Sequence, residues 1–294
     1  MSADMDALVE QWDFTFFAIM QEIDGIADRQ AVGAEARYRG ERTSIVGVVD
    51  VDLSYGILNS ALVTANWRAT EKLTLNGRVN VGAAPFLTTR NALIGQSVTT
   101  IEDLLETFSE GQIRRLARDR TAQVSNGTFG LSWPLFDRYQ LNFDIGYYEV
   151  DATIESASVA EIPASGTQTF IYTSLVGSSV IKDGDTAIFS LQRSDTRNGT
   201  SDTLMFDFRF PTSERLRLNP RLALSSRRHV GNQSEEWIAA PTLRLAFRWP
   251  RHHQLELELG ARLSTRDFAE GPIGLEQRQE SSEYFYNAGY WWEF

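Results

Sequence analysis

From Glu71 to Gly82, Leu73, Leu75, Val79 and Val81 alternate with Thr74, Asn76, Arg78 and Asn80. A period of two puts apolar side chains on one face of a β-strand and polar ones on the other. The pattern returns along the chain. Tyr139, Leu141, Phe143, Ile145 and Tyr147 alternate with Gln140, Asn142 and Asp144, and Leu204, Phe206, Phe208 and Phe210 with Asp207 and Arg209. Leu216, Leu218, Leu222 and Leu224 alternate with Arg217, Asn219 and Arg221, and Leu255, Leu257, Leu259 and Leu263 with Glu256, Glu258 and Arg262. Weaker versions run through Trp12, Phe14 and Phe16; Val32, Ala34 and Ala36; Ile45, Val49 and Val51; and Ala61, Val63 and Ala65. These patterns predict about fourteen strands, with sixteen the alternative, both even as in bacterial single-chain barrels.

The connections alternate between tight turns and longer loops. The tight set is 39–42, 69–72, 134–138, 181–185, 211–215 and 250–253; the longer set includes 83–118, 152–166, 228–236 and 268–282, with brief hairpins near Gly25, Gly56 and Gly199. Such asymmetry predicts a membrane barrel rather than a soluble sandwich. Trp67, Trp133, Phe210 and Trp249 stand just before tight turns, Trp12 opens the first strand, and Trp292 and Phe294 end the last. Strand direction places them at one end, where amphipathic rings would form a girdle at the headgroup level. The predicted fold is an all-β, antiparallel, up-and-down transmembrane β-barrel over residues 11–294. Residues 1–10 are expected to be a linker or periplasmic segment.

The longest loop carries a helical signal. Thr100 with Asp103, and Ser109 with Gln112, have the spacing of amino-terminal caps, and Ile101, Leu104, Leu105, Phe108, Ile113 and Leu116 follow at helical spacing. Two readings remain open for this helical pair: a packed loop at the barrel mouth, or a gate or plug formed by those six residues.

Composition narrows the class. A hydrophobic share of 42% with no long apolar run excludes a helical membrane protein but not a barrel, whose polar face averages out the lipid-facing residues. The net charge of -11 argues against nucleic-acid binding, and the lack of cysteine fits passage through an oxidising periplasm. Residues 1–10 lack a basic start and an apolar core, so no signal peptide is read there; the expectation is the carboxy-terminal part of a longer polypeptide.

The polar positions of the strands hold Arg78, Asp144, Asp207, Arg209, Arg217, Arg221, Arg244, Arg248, Glu256, Glu258 and Arg262. A charged field of this kind could line a pore and select a charged or hydroxyl-rich permeant. A salt-bridge network that fills and stiffens the barrel is the competing reading. Enzyme chemistry has little support. His229, His252 and His253 lie at loops or turns without an identifiable partner, and there is no nucleophile elbow, phosphate loop or metal-ligand cluster. No catalytic residue, metal or cofactor is expected.

The last strand, with Tyr286, Ala288, Tyr290 and Trp292 alternating behind the terminal Phe294, resembles the carboxy-terminal signature of outer-membrane barrels. That resemblance implies recognition by the barrel-assembly machinery, a periplasmic carboxy-terminus and extracellular long loops, with outer-membrane lipid and lipopolysaccharide as surroundings. Ser109 to Thr121, leading into a strand, resembles the loop of barrels that follow periplasmic tetratricopeptide-repeat domains in exopolysaccharide exporters, although no repeat is present. That resemblance implies a transport channel for a hydrophilic substrate such as an exopolysaccharide, with a repeat domain or export complex upstream as partner. A general diffusion porin and a non-conducting structural or surface-anchor barrel are the alternatives.

Overall fold

A computed structural model describes residues 2–6, 11–249, 253–268 and 277–292. Its strands are β1 (Ser2–Asp6), β2 (Trp12–Ile23), β3 (Ile26–Arg39), β4 (Thr43–Asp52), β5 (Ile57–Arg68), β6 (Thr74–Ala84), β7 (Ala122–Phe136) and β8 (Tyr139–Val150). They continue as β9 (Gln168–Ser178), β10 (Thr186–Thr196), β11 (Gly199–Pro211), β12 (Leu216–His229), β13 (Ser234–Trp249), β14 (His253–Phe268) and β15 (Gln277–Trp292). Sheet order is sequence order, the order of an up-and-down barrel. Among the described residues, fourteen strands are ten residues or longer, and the fifteenth is the short β1. The fold is thus the expected all-β, up-and-down arrangement with one helical loop.

The chain divides into two units. The first comprises Met1–Phe129 and Gly146–Gln168; the second comprises Gly130–Ile145 and Thr169–Phe294. In the first, Phe14, Phe16 and Ala18 of β2 stand opposite Ala36, Ala34 and Val32 of β3. Val32 and Ala34 stand opposite Val51 and Val49 of β4, and Val49 and Gly47 opposite Ala61 and Val63 of β5. Val63 faces Val79 of β6. Because register carries one parity from strand to strand, the apolar positions form a continuous face. That face is uncovered: Phe16, Met20, Val63 and Val79 are 49%, 72%, 52% and 52% exposed. The opposite face carries Thr15, Glu35, Arg37, Asp50, Ser60, Thr64 and Arg78.

The second unit repeats the design. Leu204 of β11 pairs with Leu224 of β12, which pairs with Ala239 of β13, which pairs with Leu263 of β14. Leu218, Leu245, Leu257 and Ala288 form a parallel row, and Leu216, Phe247, Leu255 and Tyr290 another. The chain reverses tightly after β3, β5, β7 and β11, where sequence predicted tight turns. The loop expected at 228–236 is shorter, because pairing continues to His229 and Ser234 and leaves only Val230–Gln233 between the strands. His253, expected in a turn, opens β14, where its Nδ1 lies 2.6 Å from the Tyr290 hydroxyl. The turn residues 250–252, with His252, lie outside the described residues, as do 1, 7–10 of the expected linker, 269–276 of the last long loop, and Phe294.

The predicted helices form in the loop between β6 and β7. They are α1 (Ile101–Leu105) and α2 (Glu110–Asp119), preceded by a 3-10 turn at Thr89–Leu93. Thr100 Oγ1 accepts the Asp103 amide at 3.1 Å, and Gln112 Oε1 accepts the Ser109 amide at 2.8 Å, so each helix start satisfies amides that have no partner within the helix. The apolar side of the pair packs on Leu87, Ala92 and Tyr55, with Ile23, Ile26 and Ile57 of the neighbouring hairpins alongside.

A bulge in β5 ties this helical cap to the strands. Pairing between β4 and β5 shifts at Asp50/Val51, which leaves Asn59 as the extra residue. Its buried Oδ1 accepts the Leu87 amide at 2.9 Å. Arg120, just after α2, donates through Nη1 to the Ala160 carbonyl at 3.1 Å and through Nη2 to the Val159 carbonyl at 2.8 Å. The cap is therefore fastened on two sides by side chains the helical pattern does not include.

Candidate functional site

The charged face of the second unit is built by alternation. On β11 to β14, residues whose neighbours in sequence sit on the apolar face must point the other way, and these are Asp207, Arg209, Arg217, Arg221, Arg244, Arg248, Glu256 and Glu258. Together with Asn219, Thr242, Ala246 and Gln254 they line a cavity of about 350 Å³. Eight of the eleven predicted pore-lining residues thus meet in one place.

Arg221 donates to Asp207 Oδ2 from Nε at 3.1 Å and from Nη2 at 2.7 Å, and Arg209 Nε lies 3.7 Å from Asp207 Oδ1. Arg244 pairs with Glu256. Arg248 Nε donates to Gln254 Oε1 at 3.1 Å, and Gln254 Nε2 donates to Glu256 Oε1 at 2.6 Å. Among the described residues Arg217 and Glu258 have no ion pair, and Asn219 Oδ1 is buried without a hydrogen-bond partner. Accessibility is unequal. The side chains of Asp207 and Glu256 are 8% and 14% exposed, those of Arg221 and Arg244 51% and 44%. The carboxylates form the floor and the guanidiniums stand above it. A guanidinium has five donors in a fixed plane, so one edge can hold a carboxylate while another remains free for a ligand.

A second cluster lies farther along the same face. Arg227 is opposite Glu236, which is opposite Arg266. Arg262 Nη2 and His229 Nε2 each lie 3.9 Å from a Glu236 carboxylate oxygen, and Arg266 Nε donates to Ser234 Oγ at 3.0 Å. Ser234 Oγ in turn donates to Asn232 Oδ1 at 2.8 Å, so this hydroxyl is committed to the loop. Between the clusters the face is uncharged, with Ala223 opposite Ala240 and Gly260 opposite Phe285. A cavity of about 740 Å³ beside the first cluster shares Arg244, Arg248 and Glu256 and adds Trp249, His253, Trp291 and Trp292.

The remaining predicted residues fall elsewhere. Arg78 is exposed on the polar face of the first unit, opposite Thr64. Asp144 is half-buried on β8 and does not line the cavity. Arg262 belongs to the second cluster. Of the gate residues, Ile101, Leu104, Ile113 and Leu116 are buried and Leu105 and Phe108 pack against them, so the cap presents its polar side outward. Trp67, Trp133, Trp249 and Trp292 are 45–55% exposed at the short-turn ends of their strands, where Trp249 packs on Phe247 and His253 stacks on Trp292. Gln254 and Asn219 were missed as site residues because selection by charge passes over neutral amides. Their shared parity with Glu256 and Arg217 was the available signal.

No family model matches the sequence, and no curated protein matches it. Among solved structures, OmpT (in-vitro folded), an outer membrane protein of Vibrio cholerae, is similar at 11% identity with a TM-score of 0.38, over 98% of this chain and 100% of that one. A bacterial polysaccharide outer membrane secretin is similar at 10% identity with a TM-score of 0.37, over 96% and 87% of the two chains. The CymD monoaromatic hydrocarbon channel is similar at 10% identity with a TM-score of 0.32, over 95% and 86%.

Proposed function

We propose that this chain forms a membrane-spanning β-barrel of the bacterial outer membrane and acts as a transport channel for a hydrophilic solute, an exopolysaccharide being the class we favour. One observation carries the reading: both units expose an apolar sheet face and turn their charged residues to the other side. A water-soluble sheet protein would bury the first face and expose the second, whereas lipid reverses that preference. Exposed aromatics at the short-turn ends support a membrane interface there, with those turns and the carboxy-terminus periplasmic and the helical loop outside. Lipopolysaccharide contact, delivery by the barrel-assembly machinery, and an upstream repeat domain or export complex belong to the same proposal.

The paired charges favour a second reading, a barrel stiffened by salt bridges that conducts nothing. Planar-bilayer recording decides between them. Stepwise conductance from the purified protein, or from a variant lacking Thr100 to Ala117, is expected of a channel. Its absence from both would leave the structural anchor.

A further inference from the structure

We infer that the charged face of β11 to β14 is a binding track for an extended polyanion, a polymer bearing carboxylates or phosphates, rather than for a neutral glycan. The inference rests on the channel reading and adds the class of permeant. In the first cluster five arginines stand against three carboxylates, within a chain whose formal net charge is -11. Excess positive charge on this one face is therefore opposed to the balance of the molecule.

Two of the three carboxylates, Asp207 and Glu256, also contribute least to what a solute would meet, since they pair with more exposed arginines and have little exposure themselves. Arg217 has no ion pair among the described residues, and Arg209 and Arg221 share a single carboxylate. Register staggers three of the arginines: Arg217 is opposite Ala246, Arg221 opposite Thr242, and Arg244 opposite Asn219. The backbone positions of Arg217, Arg244 and Arg221 are therefore offset by two residues along the strands, about 7 Å, while Arg209 and Arg221 meet at the one carboxylate of Asp207. Staggered cations at that interval suit successive charges on one chain better than a single small anion, which would draw two or three guanidiniums onto itself.

Length supports the same class. Arg248 and the Arg227–Glu236 pair lie twelve positions apart on β13, roughly 40 Å of extended strand. Basic groups at both ends with an uncharged stretch between them reward a ligand long enough to touch both, because the second contact forms at a high effective concentration. Trp291, on the same face opposite Gln254 and 49% exposed, adds a flat apolar surface of the kind a sugar ring covers.

The test uses purified protein in detergent with polygalacturonate as the polyanion, galacturonate as its monomer and dextran as a neutral polymer. Polygalacturonate is expected to bind at least tenfold more tightly than galacturonate, with affinity falling steeply as salt rises, and dextran is expected not to compete. The R217Q/R244Q/R248Q variant should lose tenfold or more of the polymer affinity, and Glu258→Gln should gain. Dextran competing as well as polygalacturonate, or equal binding of polymer and monomer, would overturn the inference. In bilayers under a potassium chloride gradient, the unmodified protein should show an anion-selective reversal potential; a cation-selective one would also overturn it, whether or not the triple variant folds. Loss of conductance with arginine-dependent binding intact would reject the channel and keep the track, whereas conductance without discrimination would do the reverse.

Discussion

A methyl group added at Gly260 would lie 2.2 Å from the Phe285 ring, its directly opposed partner, and at Gly33 one would lie 2.1 Å from the Phe17 ring and 2.6 Å from the Val49 carbonyl oxygen. In both cases an aromatic ring covers the bare backbone of a cross-strand glycine, a device that pins register. The obstacles differ. At Gly260 the three nearest atoms all belong to the Phe285 ring, so Gly260→Ala should destabilise by about 1–3 kcal/mol through overpacking, and F285A in the same chain should recover much of that. At Gly33 a backbone oxygen remains in the way, so F17A should recover less of the cost of G33A. Urea unfolding in detergent measures both cycles. Asp185, in the turn after β9, accepts the amides of Val180, Ile181 and Lys182 at 2.6, 2.8 and 2.8 Å. Burial opposes its ionised form, but the amides of Lys182, Ile181 and Val180 and the charge of Arg138 outweigh it and hold the carboxyl below its ordinary value. A lowered folded-state value means stabilisation that is present above the unfolded carboxylate range and is lost as pH falls through the folded value. Asp185→Asn should therefore flatten the acid limb of the unfolding midpoint against pH, and an unchanged acid limb would contradict this account of the turn.

The strand as an element carries the argument about lipid. Val63 and Thr64 are neighbours on β5, one on the uncovered apolar face and the other opposite Arg78. Val63→Arg should cost about 2–4 kcal/mol of folding into vesicles if the face meets the bilayer midplane, whereas Thr64→Arg should cost far less. Gel mobility of unheated samples separates folded from unfolded chains, and equal losses would refute the facing. This parity was legible in the sequence wherever one face is polar and the other apolar, as in β6, β12 and β14. It fades in β9 and β10, where Val176 meets Ile188 on the face that elsewhere holds charge. Both faces then look alike from residue type. The helices were legible from Thr100, Ser109 and their acceptor-spaced partners because capping is local chemistry. Their attachment was not, since the Asn59 bulge breaks the alternation and Arg120 acts across a span of about forty residues. Asn59→Ala would leave a buried amide at Leu87 without its acceptor, an arrangement that costs about 1–3 kcal/mol. Limited proteolysis should then cut between Thr88 and Gln112 while the strands stay intact, and unchanged resistance would mean the cap is held by its apolar packing alone.

At the scale of the whole chain, mean hydropathy of -0.27 and a charge of -11 would suit a water-soluble protein. The arrangement of those residues opposes solubility, because the apolar share is concentrated on one exposed side of the strands. The chain should aggregate when refolded in buffer and acquire a β-sheet circular dichroism spectrum only with detergent or vesicles; a dispersed, folded protein without either would contradict a bilayer location. The arginine face was equally invisible to bulk charge, since it emerges only after parity sorts the residues. The tryptophans of β13 carry this logic into membrane thickness. Trp237 and Trp249 share the apolar face and are 58% and 45% exposed, with Ala239, Pro241, Leu243, Leu245 and Phe247 between them at alternate positions. Twelve residues of strand span roughly 40 Å, and a 45° tilt would reduce that to about 28 Å along the bilayer normal. In the proposed bilayer location the two indoles would act as a ruler. Insertion should be fastest into lipids whose hydrocarbon depth is near that length and should slow as acyl chains lengthen; on the proposed reading, the same strand that aligns the arginines would also set the membrane in which they work.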